Sequence, residues 1–286
     1  MITVTAAIIE KNGLILAARR KPGVHLAGYW EFPGGKLEDG ETSEECLARE
    51  LWEEFGIECA VGEFFGESIY DYGTKVVRLL GYRVLHLHGT FMCRDHDQIS
   101  WLPAGELSSL TWAPADIPLV LQLQEEHHVM ATLAYYRSNA TEYVEETVAF
   151  DFANAMRQRF AEMLAPDSHI LDLGCGSGRD SRFFTDQGHR VTPVDAVAEI
   201  ASHAAQYLAR PVRVQKAEEL NEMNIYDGIW ACASLLHIPR SRINETFTRI
   251  ITAMRPQGIW HMSFKQGEME CKDHKQRFFN NYSIQD

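Results

Sequence analysis

Residues 35–57 read GKLEDGETSEECLARELWEEFGI, and this stretch decides how the first half of the chain folds. On a helix at about 100° per residue, Glu50, Glu53 and Glu54 fall within an arc of roughly 100°, so three carboxylates share one stripe. Leu47, Leu51 and Phe55 recur at i, i+4 and i+8, with Ala48 and Trp52 beside them, which gives the opposite face a core to join. Thr42 followed by Glu45 reads as a capping box, and Gly56 as the glycine just past the helix end. Like charges at i, i+3 and i+4 repel, and a hard divalent cation with oxygen ligands reverses that sign; Mg²⁺ is the usual one beside phosphates. A solvated acidic face is the plainer alternative.

Around that helix the first half is rich in β signals. Residues 3–10 and 14–19 are strand-like runs separated by Lys11-Asn12-Gly13, and Asn-Gly between apolar runs marks a hairpin. The loop Trp30-Glu31-Phe32-Pro33-Gly34-Gly35 follows, its glycines permitting close backbone approach. Further strands are expected near 60–69 and 75–88, a segment begins at Trp101, and Pro118 suits the first turn of a helix running to about His127. These elements predict an α+β domain.

The chain has 286 residues, enough for two domains, with the apolar and charged content of a globular protein. No apolar run approaches a membrane span and no leader pattern precedes the first strand, so the protein reads as soluble and cytoplasmic. Six cysteines lie scattered without CxxC pairs, as expected of reduced thiols. Residues 1–128 hold 10 Lys+Arg against 20 Asp+Glu, net −10, whereas residues 129–286 hold 17 against 20, net −3. Such an acidic first half argues against a duplex nucleic-acid footprint and is compatible with small phosphorylated ligands reached through metal ions.

Gly35, Glu41 and Arg49-Glu50-Leu51-Trp52-Glu53-Glu54-Phe55-Gly56-Ile57 stand at the offsets of the Nudix box, so residues 1–128 resemble Nudix hydrolases. The segments Gly28-Tyr29-Trp30-Glu31-Phe32-Pro33-Gly34-Gly35-Lys36 and Ala113-Pro114-Ala115-Asp116-Ile117-Pro118 are similar to the MutT-like branch of 8-oxo-dGTP diphosphatases and CTP pyrophosphohydrolases. The resemblance implies an α/β/α sandwich that hydrolyses a nucleoside triphosphate to monophosphate and pyrophosphate with Mg²⁺ or Mn²⁺. It implies metal ligands at Gly35 (carbonyl), Glu50, Glu53, Glu54 and Asp95, with Glu53 also orienting the water and Arg49 pairing with Glu41. It implies nucleotide contacts from Arg20, Phe32 and Asp116. An ionised Asp116 accepts only, which favours an exocyclic amino group of cytosine or guanine. The alternative for Asp116 is a helix N-cap ahead of Pro118. His86, His88 and the His127-His128 pair lack a third ligand at metal spacing and read as surface histidines.

In the second half, two helices are expected from Thr132 to about Pro166. A βα rhythm follows: strand 169–173, helix 178–187, strand 190–195, helix 197–208, strand 211–215, strand 228–233, helix 240–254 and strand 258–264. Alternation of this kind means a parallel, doubly wound sheet. The first turn is Asp172-Leu173-Gly174-Cys175-Gly176-Ser177-Gly178, and Asp195 closes the next strand where a carboxylate can take ribose hydroxyls. With Trp230-Ala231-Cys232-Ala233-Ser234 and Tyr135-Tyr136-Arg137-Ser138-Asn139, these look like a class I S-adenosylmethionine-dependent methyltransferase with a Rossmann-like fold over residues 129–286. The resemblance implies Asp172, Gly174 and Gly176 at the methionine end, Asp195 at the ribose, Ala217 and Glu218 at the adenine edge, and the Ala231 carbonyl facing the sulfonium. Tyr135, Asn139 and Tyr143 would cover the cofactor.

Two features depart from that pattern. Lys216 stands where many relatives have Asp. The chain also stops soon after the fifth strand, where the fold adds two more, so the domain reads as truncated unless a partner completes its sheet. Lys265 to Arg277 is expected to be a solvated helix face, and His237 either a catalytic base or a pocket histidine. Three functions fit: a triphosphate pyrophosphohydrolase with a fused methyltransferase, a methyltransferase whose first half only binds a nucleotide, or a hydrolase with an inactive second module. The methyl acceptor is not legible.

Overall fold

A computed structural model describes residues 1–150 and 153–283 and divides into two compact units, Met1–His127 and His128–Asp286. In the first unit, β1 (Ile2–Lys11) and β2 (Leu14–Arg20) form a hairpin whose turn residues Asn12 and Gly13 both have positive φ, as Asn-Gly favours. They are followed by β3 (Trp30–Glu31), α1 (Ser43–Phe55), β4 (Glu58–Asp71), β5 (Val76–His88), β6 (His96–Pro103) and α2 (Ile117–Ser138). The strand order is β3-β2-β1-β5-β4, with β6 on β2; β1 and β5 run parallel and β4 and β5 antiparallel.

Successive β1 side chains point to opposite faces, and each face has its own core. Ala7 and Ile9 meet Leu47, Leu51 and Phe55 of α1, whereas Ala6 and Ile8 belong to the core of Leu119, Val120 and Leu123 from α2. This is the expected α/β/α sandwich. The apolar stripe of α1 is narrower than its sequence suggested: Trp52 is 54% exposed, not part of the core face.

α2 does not stop near His127. Nothing between Glu125 and Tyr135 breaks a helix, and it continues to Ser138, so the expected pair of helices from Thr132 becomes the end of α2, α3 (Ala140–Val148) and α4 (Asn154–Glu162). Then come β7 (His169–Leu173), α5 (Arg179–Asp186), β8 (Arg190–Asp195), α6 (Ala198–Leu208), β9 (Arg213–Val214), β10 (Tyr226–Ala231), α7 (Arg240–Ala253) and β11 (Met254–Met262). The sheet is parallel, in the order β11-β10-β7-β8-β9. Ile170 and Trp230 pack with Phe160 and Phe184 of α4 and α5, and Leu171 and Ile229 pack with Ile243 and Ile250 of α7, so both faces are covered. Among the described residues, β11 pairs with β10 alone and edges the sheet.

The helix expected from Lys265 to Arg277 is instead a hairpin, β12 (Glu270–Lys272) against β13 (Phe278–Asn280). Asp273 turns the chain: its Oδ1 accepts from the Lys275 and Arg277 amides, and Gln276 takes a positive φ. Lys265, His274 and Lys275 face solvent as expected, but on this hairpin and the segment leading into it and not on a helix, and Phe278, Phe279 and Asn280 just beyond them are buried.

Candidate functional site

In the first unit, the site is built where the loop after β3 meets α1. Thr42 caps the helix with a complete capping box and Gly56 closes it at φ 68°. The loop is sewn to β1, Gly35 O accepting the Thr5 amide at 2.8 Å and Pro33 O the Ala7 amide at 2.7 Å. At Gly35 a Cβ would lie 2.0 Å from Glu50 Cδ, so a side chain there would displace that carboxylate. Arg49 makes a bidentate pair with Glu41 at 2.8 and 3.1 Å and also donates to Glu50 at 3.0 Å and Glu53 at 3.2 Å. Arg49 therefore holds Glu41 down at about 2, the loop pairing that the sequence suggested.

The three glutamates of the stripe are not equivalent. The Glu53 side chain is 57% exposed, whereas Glu50 is shielded and burial raises its pKa. Glu54 is the most enclosed, and its Oε2 is buried without a hydrogen-bond partner. Burial, then the charges of Glu31, Glu50 and Asp95, push Glu54 up to about 8. Asp95 is carried in by a loop whose Arg94 amide donates to Glu54 O at 3.1 Å, and its own carboxylate is paired with Lys21 at 2.6 Å. Glu31, which no role was expected of, stands beside this group, bonded to Arg20 and to buried His96 at 2.8 Å.

Among the described residues no three His, Cys, Asp or Glu side chains are gathered into a ready-made metal cluster; Arg49 pairs with Glu50 and Glu53, and Lys21 with Asp95. The donor set nevertheless fits a hard divalent ion: an orphaned carboxylate oxygen on Glu54, Glu50 seated on Gly35, and oxygen ligands only.

The three expected nucleotide contacts are placed as follows. Arg20 is bound to Glu31 and to His25 O. The Phe32 ring is buried against Trp112 at 4.7 Å. Asp116 is buried, and its Oδ1 accepts the Phe32 amide at 2.9 Å, so its side chain braces the loop and does not cap α2. Burial, reinforced by Glu31, drives its pKa well above the carboxylate range.

The second unit holds a cavity at the carboxyl ends of β7, β8 and β10, where the strand order reverses. Gly174, Tyr143, Asp195, Ala217 and Glu218 line it, as does Lys216. Gly174 has φ 81°, and a Cβ there would lie 2.3 Å from Ser234 Cβ. Asp195 receives the Gly176 amide at 3.0 Å and the Val197 amide at 2.9 Å; burial raises it to about 6 against those bonds. Ser234 Oγ and Gln215 Oε1, both from residues on the cavity wall, are buried without partners.

The remaining expected cofactor residues lie behind this wall. Gly176 is under the Tyr143 ring, and Asp172 accepts from Ser181 at 2.6 Å, with burial and Asp180 raising its pKa. The Ala231 carbonyl accepts the Ser263 amide at 3.2 Å. Tyr135 stacks under Arg277, and Asn139 bonds Tyr135 O at 2.8 Å, so neither reaches the cavity. Its α2 face is made by Val129, Thr132, Leu133 and Tyr136. The helical phase of Leu133 and Tyr136, three apart, was the signal that could have chosen Tyr136 over Tyr135.

Residues 1–131 match the family model described as the NUDIX domain, and residues 170–258 match one described as a methyltransferase domain. The CTP pyrophosphohydrolase of Escherichia coli (strain K12) is 42% identical over 120 residues, 42% of this chain and 89% of that protein. The chain belongs to the NUDIX family. The 8-oxo-dGTP diphosphatase of Haemophilus influenzae is 34% identical over 129 residues, 45% of this chain and 95% of that protein. YqeM of Bacillus subtilis (strain 168), which carries a methyltransferase designation, is 30% identical over 118 residues, 37% of this chain and 47% of that protein. The carboxylate stripe thus lies in a NUDIX domain, and a methyltransferase domain follows it; both are enzymatic domain types. No helix among the described residues is long and apolar enough to cross a membrane.

Proposed function

We propose that the Nudix unit binds Mg²⁺ or Mn²⁺ through Glu50 and Glu54, completed by Glu53, Asp95 and the Gly35 carbonyl, and hydrolyses a (d)CTP-type or 8-oxo-dGTP-type substrate to monophosphate and pyrophosphate. One observation carries this reading: Glu54 has a buried oxygen with no partner, and burial, reinforced by neighbouring carboxylates, raises its pKa to about 8. A buried acid among like charges is costly unless a ligand compensates it. When bound, the ion neutralises phosphate oxygens and sharpens the attacking water. The chain's own part is to seat Glu50 on Gly35, aim Glu54 inward, and keep the exposed Glu53 carboxylate facing solvent, where it can orient the water.

Asp116 reads the base. Because burial favours its protonated form, the acid can donate as well as accept, so a ring carbonyl is as readable as an exocyclic amino group. The test is turnover of canonical and oxidised (d)NTPs with Mg²⁺, following both products. Wild type should exceed a Glu53→Gln control on CTP, dCTP or 8-oxo-dGTP; equality on every substrate sinks the reading.

In the second unit we propose that the cavity takes S-adenosylmethionine, with Asp195 accepting from the ribose hydroxyls and Ala217 and Glu218 bordering the adenine. The orphaned Ser234 Oγ and Gln215 Oε1 support a polar ligand there. Calorimetry with S-adenosylmethionine tests it, using Asp195→Ala as the variant expected to bind more weakly.

A further inference from the structure

The donor contacts proposed above leave part of the cavity in the second unit unassigned. Val129, Thr132, Leu133 and Tyr136 of α2 line that part, with His237 and Ile238 after β10. Its polar groups are few. Thr132 Oγ1 is committed, donating to His128 O at 2.9 Å and accepting the Phe278 amide at 2.8 Å. Tyr136 and His237 remain.

Their proton positions follow from their partners. His237 Nδ1 lies 2.6 Å from the Phe278 carbonyl, which can only accept, so Nδ1 carries the hydrogen. Burial, assisted by Arg277 and Lys265 and opposed by the Phe278 carbonyl and Asp273, lowers the imidazole to about 4 and keeps it neutral. Nε2 then has a lone pair and accepts the Tyr136 hydroxyl at 2.9 Å. Arg277, on the hairpin and paired with Asp273, donates to the same phenol oxygen at 3.3 Å. With its proton spent on His237 and one lone pair on Arg277, Tyr136 offers the cavity one thing, a lone pair.

We propose that Tyr136 and His237 form a methyl-acceptor subsite for a small neutral molecule with an apolar body and one acidic X–H group, a phenol or a thiol. This rests on the reading of the cavity as the methyl-donor site. The acceptor's X–H donates to Tyr136 Oη, its apolar part lies against Val129, Leu133 and Ile238, and the guanidinium of Arg277 disfavours an ammonium. The donor supplies a methyl cation equivalent: the X–CH₃ bond forms as the S–CH₃ bond breaks, and its electron pair stays on sulfur. The X–H proton passes to Tyr136 Oη while the Tyr136 proton passes to His237 Nε2. One positive charge leaves the sulfonium and one appears on the imidazolium, so charge balances. Tyr136 is the catalytic residue, and His237 acts through it as a positioning residue that holds the proton only during transfer and then loses it to solvent, because burial disfavours the imidazolium. The β12–β13 hairpin supplies Phe278 O and Arg277, which set this arrangement.

The full chain, loaded with S-adenosylhomocysteine, is titrated with phenol and with thiophenol by calorimetry, while ¹⁵N NMR follows the His237 ring. At least one probe should bind and shift the Nε2 resonance while Nδ1 stays protonated. Tyr136→Phe should weaken that probe about tenfold, the cost of one lost hydrogen bond, without changing S-adenosylhomocysteine affinity. His237→Gln keeps a donor toward Phe278 and an acceptor toward Tyr136. It should slow methyl transfer to the probe from S-adenosylmethionine about 10²-fold, far more than it weakens probe binding. Loaded protein that binds neither probe, an unchanged probe affinity in Tyr136→Phe, or wild-type transfer in His237→Gln overturns the subsite. A chain that does not bind S-adenosylhomocysteine overturns the donor reading and this subsite with it.

Discussion

The Nudix hollow and the methyltransferase cavity both bury carboxylates, but they treat them in opposite ways. Glu54 is enclosed beside Glu31, Glu50 and Asp95 with one oxygen orphaned. Asp195 is as deeply buried, yet both of its oxygens receive backbone amides. On the proposed reading, the orphaned Glu54 oxygen awaits a cation, whereas Asp195, held by amides, awaits hydroxyl donors. Charge count alone does not separate the two chemistries, whereas hydrogen-bond satisfaction does.

The largest effect that sharpens this contrast is Glu54→Gln. It should lower triphosphate hydrolysis about 10³-fold, as loss of a major electrostatic group does, while S-adenosylmethionine affinity stays at the wild-type value by calorimetry. Next comes the glycine pair. In Gly35→Ala the new Cβ meets the mobile end of Glu50, so the fold should survive while hydrolysis drops about 10²-fold through displacement of that carboxylate. In Gly34→Ala the Cβ would lie 2.1 Å from the Thr5 carbonyl oxygen, which is backbone and cannot step aside, so stability should fall by roughly 1–3 kcal/mol in a denaturant titration. Equal behaviour of the two variants would break the distinction between a site glycine and a fold glycine.

The contrast also has a pH signature. Asp195 is an acid whose folded pKa, about 6, lies above its ordinary 3.8, so the folded state holds the proton more tightly than the unfolded one. Its contribution is complete below about 4 and is lost as pH rises through 6, a change of about 3 kcal/mol. Asp195→Asn should flatten that part of the stability curve measured by denaturation. Ribose hydroxyls favour the ionised form, so S-adenosylmethionine should bind more tightly as pH rises from 5 to 7 and release a proton at the lower end, visible in buffers of different ionisation enthalpy. The smallest effect is Thr42→Ala, which removes the capping-box hydroxyl and should cost about 1 kcal/mol, with hydrolysis retained.

Local rules made much of this legible. The capping box, Gly56, the Asn12-Gly13 hairpin and the βα rhythm are each set by residues close in sequence, and each stands where those residues place it. Long-range choices were not legible. Glu53 and Glu54 are adjacent on one stripe, and only the loop carrying Asp95 and the strand end at Glu31 make one inward and the other exposed. Arg277 looked like part of a basic helix because its partner, Tyr136, lies more than a hundred residues away. Asp273 as the start of a turn was the available local signal. Asp116 shows the same limit: no local signal announces that its side chain accepts the Phe32 amide from a loop more than eighty residues earlier.

The most direct test of the account is the binding of Mn²⁺ by electron paramagnetic resonance to wild type, Glu54→Gln and Asp195→Asn. Wild type and Asp195→Asn should bind the ion alike, and Glu54→Gln should lose about tenfold or more in affinity, the loss of one charged oxygen ligand. Unchanged Mn²⁺ affinity in Glu54→Gln would contradict the claim that the orphaned carboxylate exists to meet a cation.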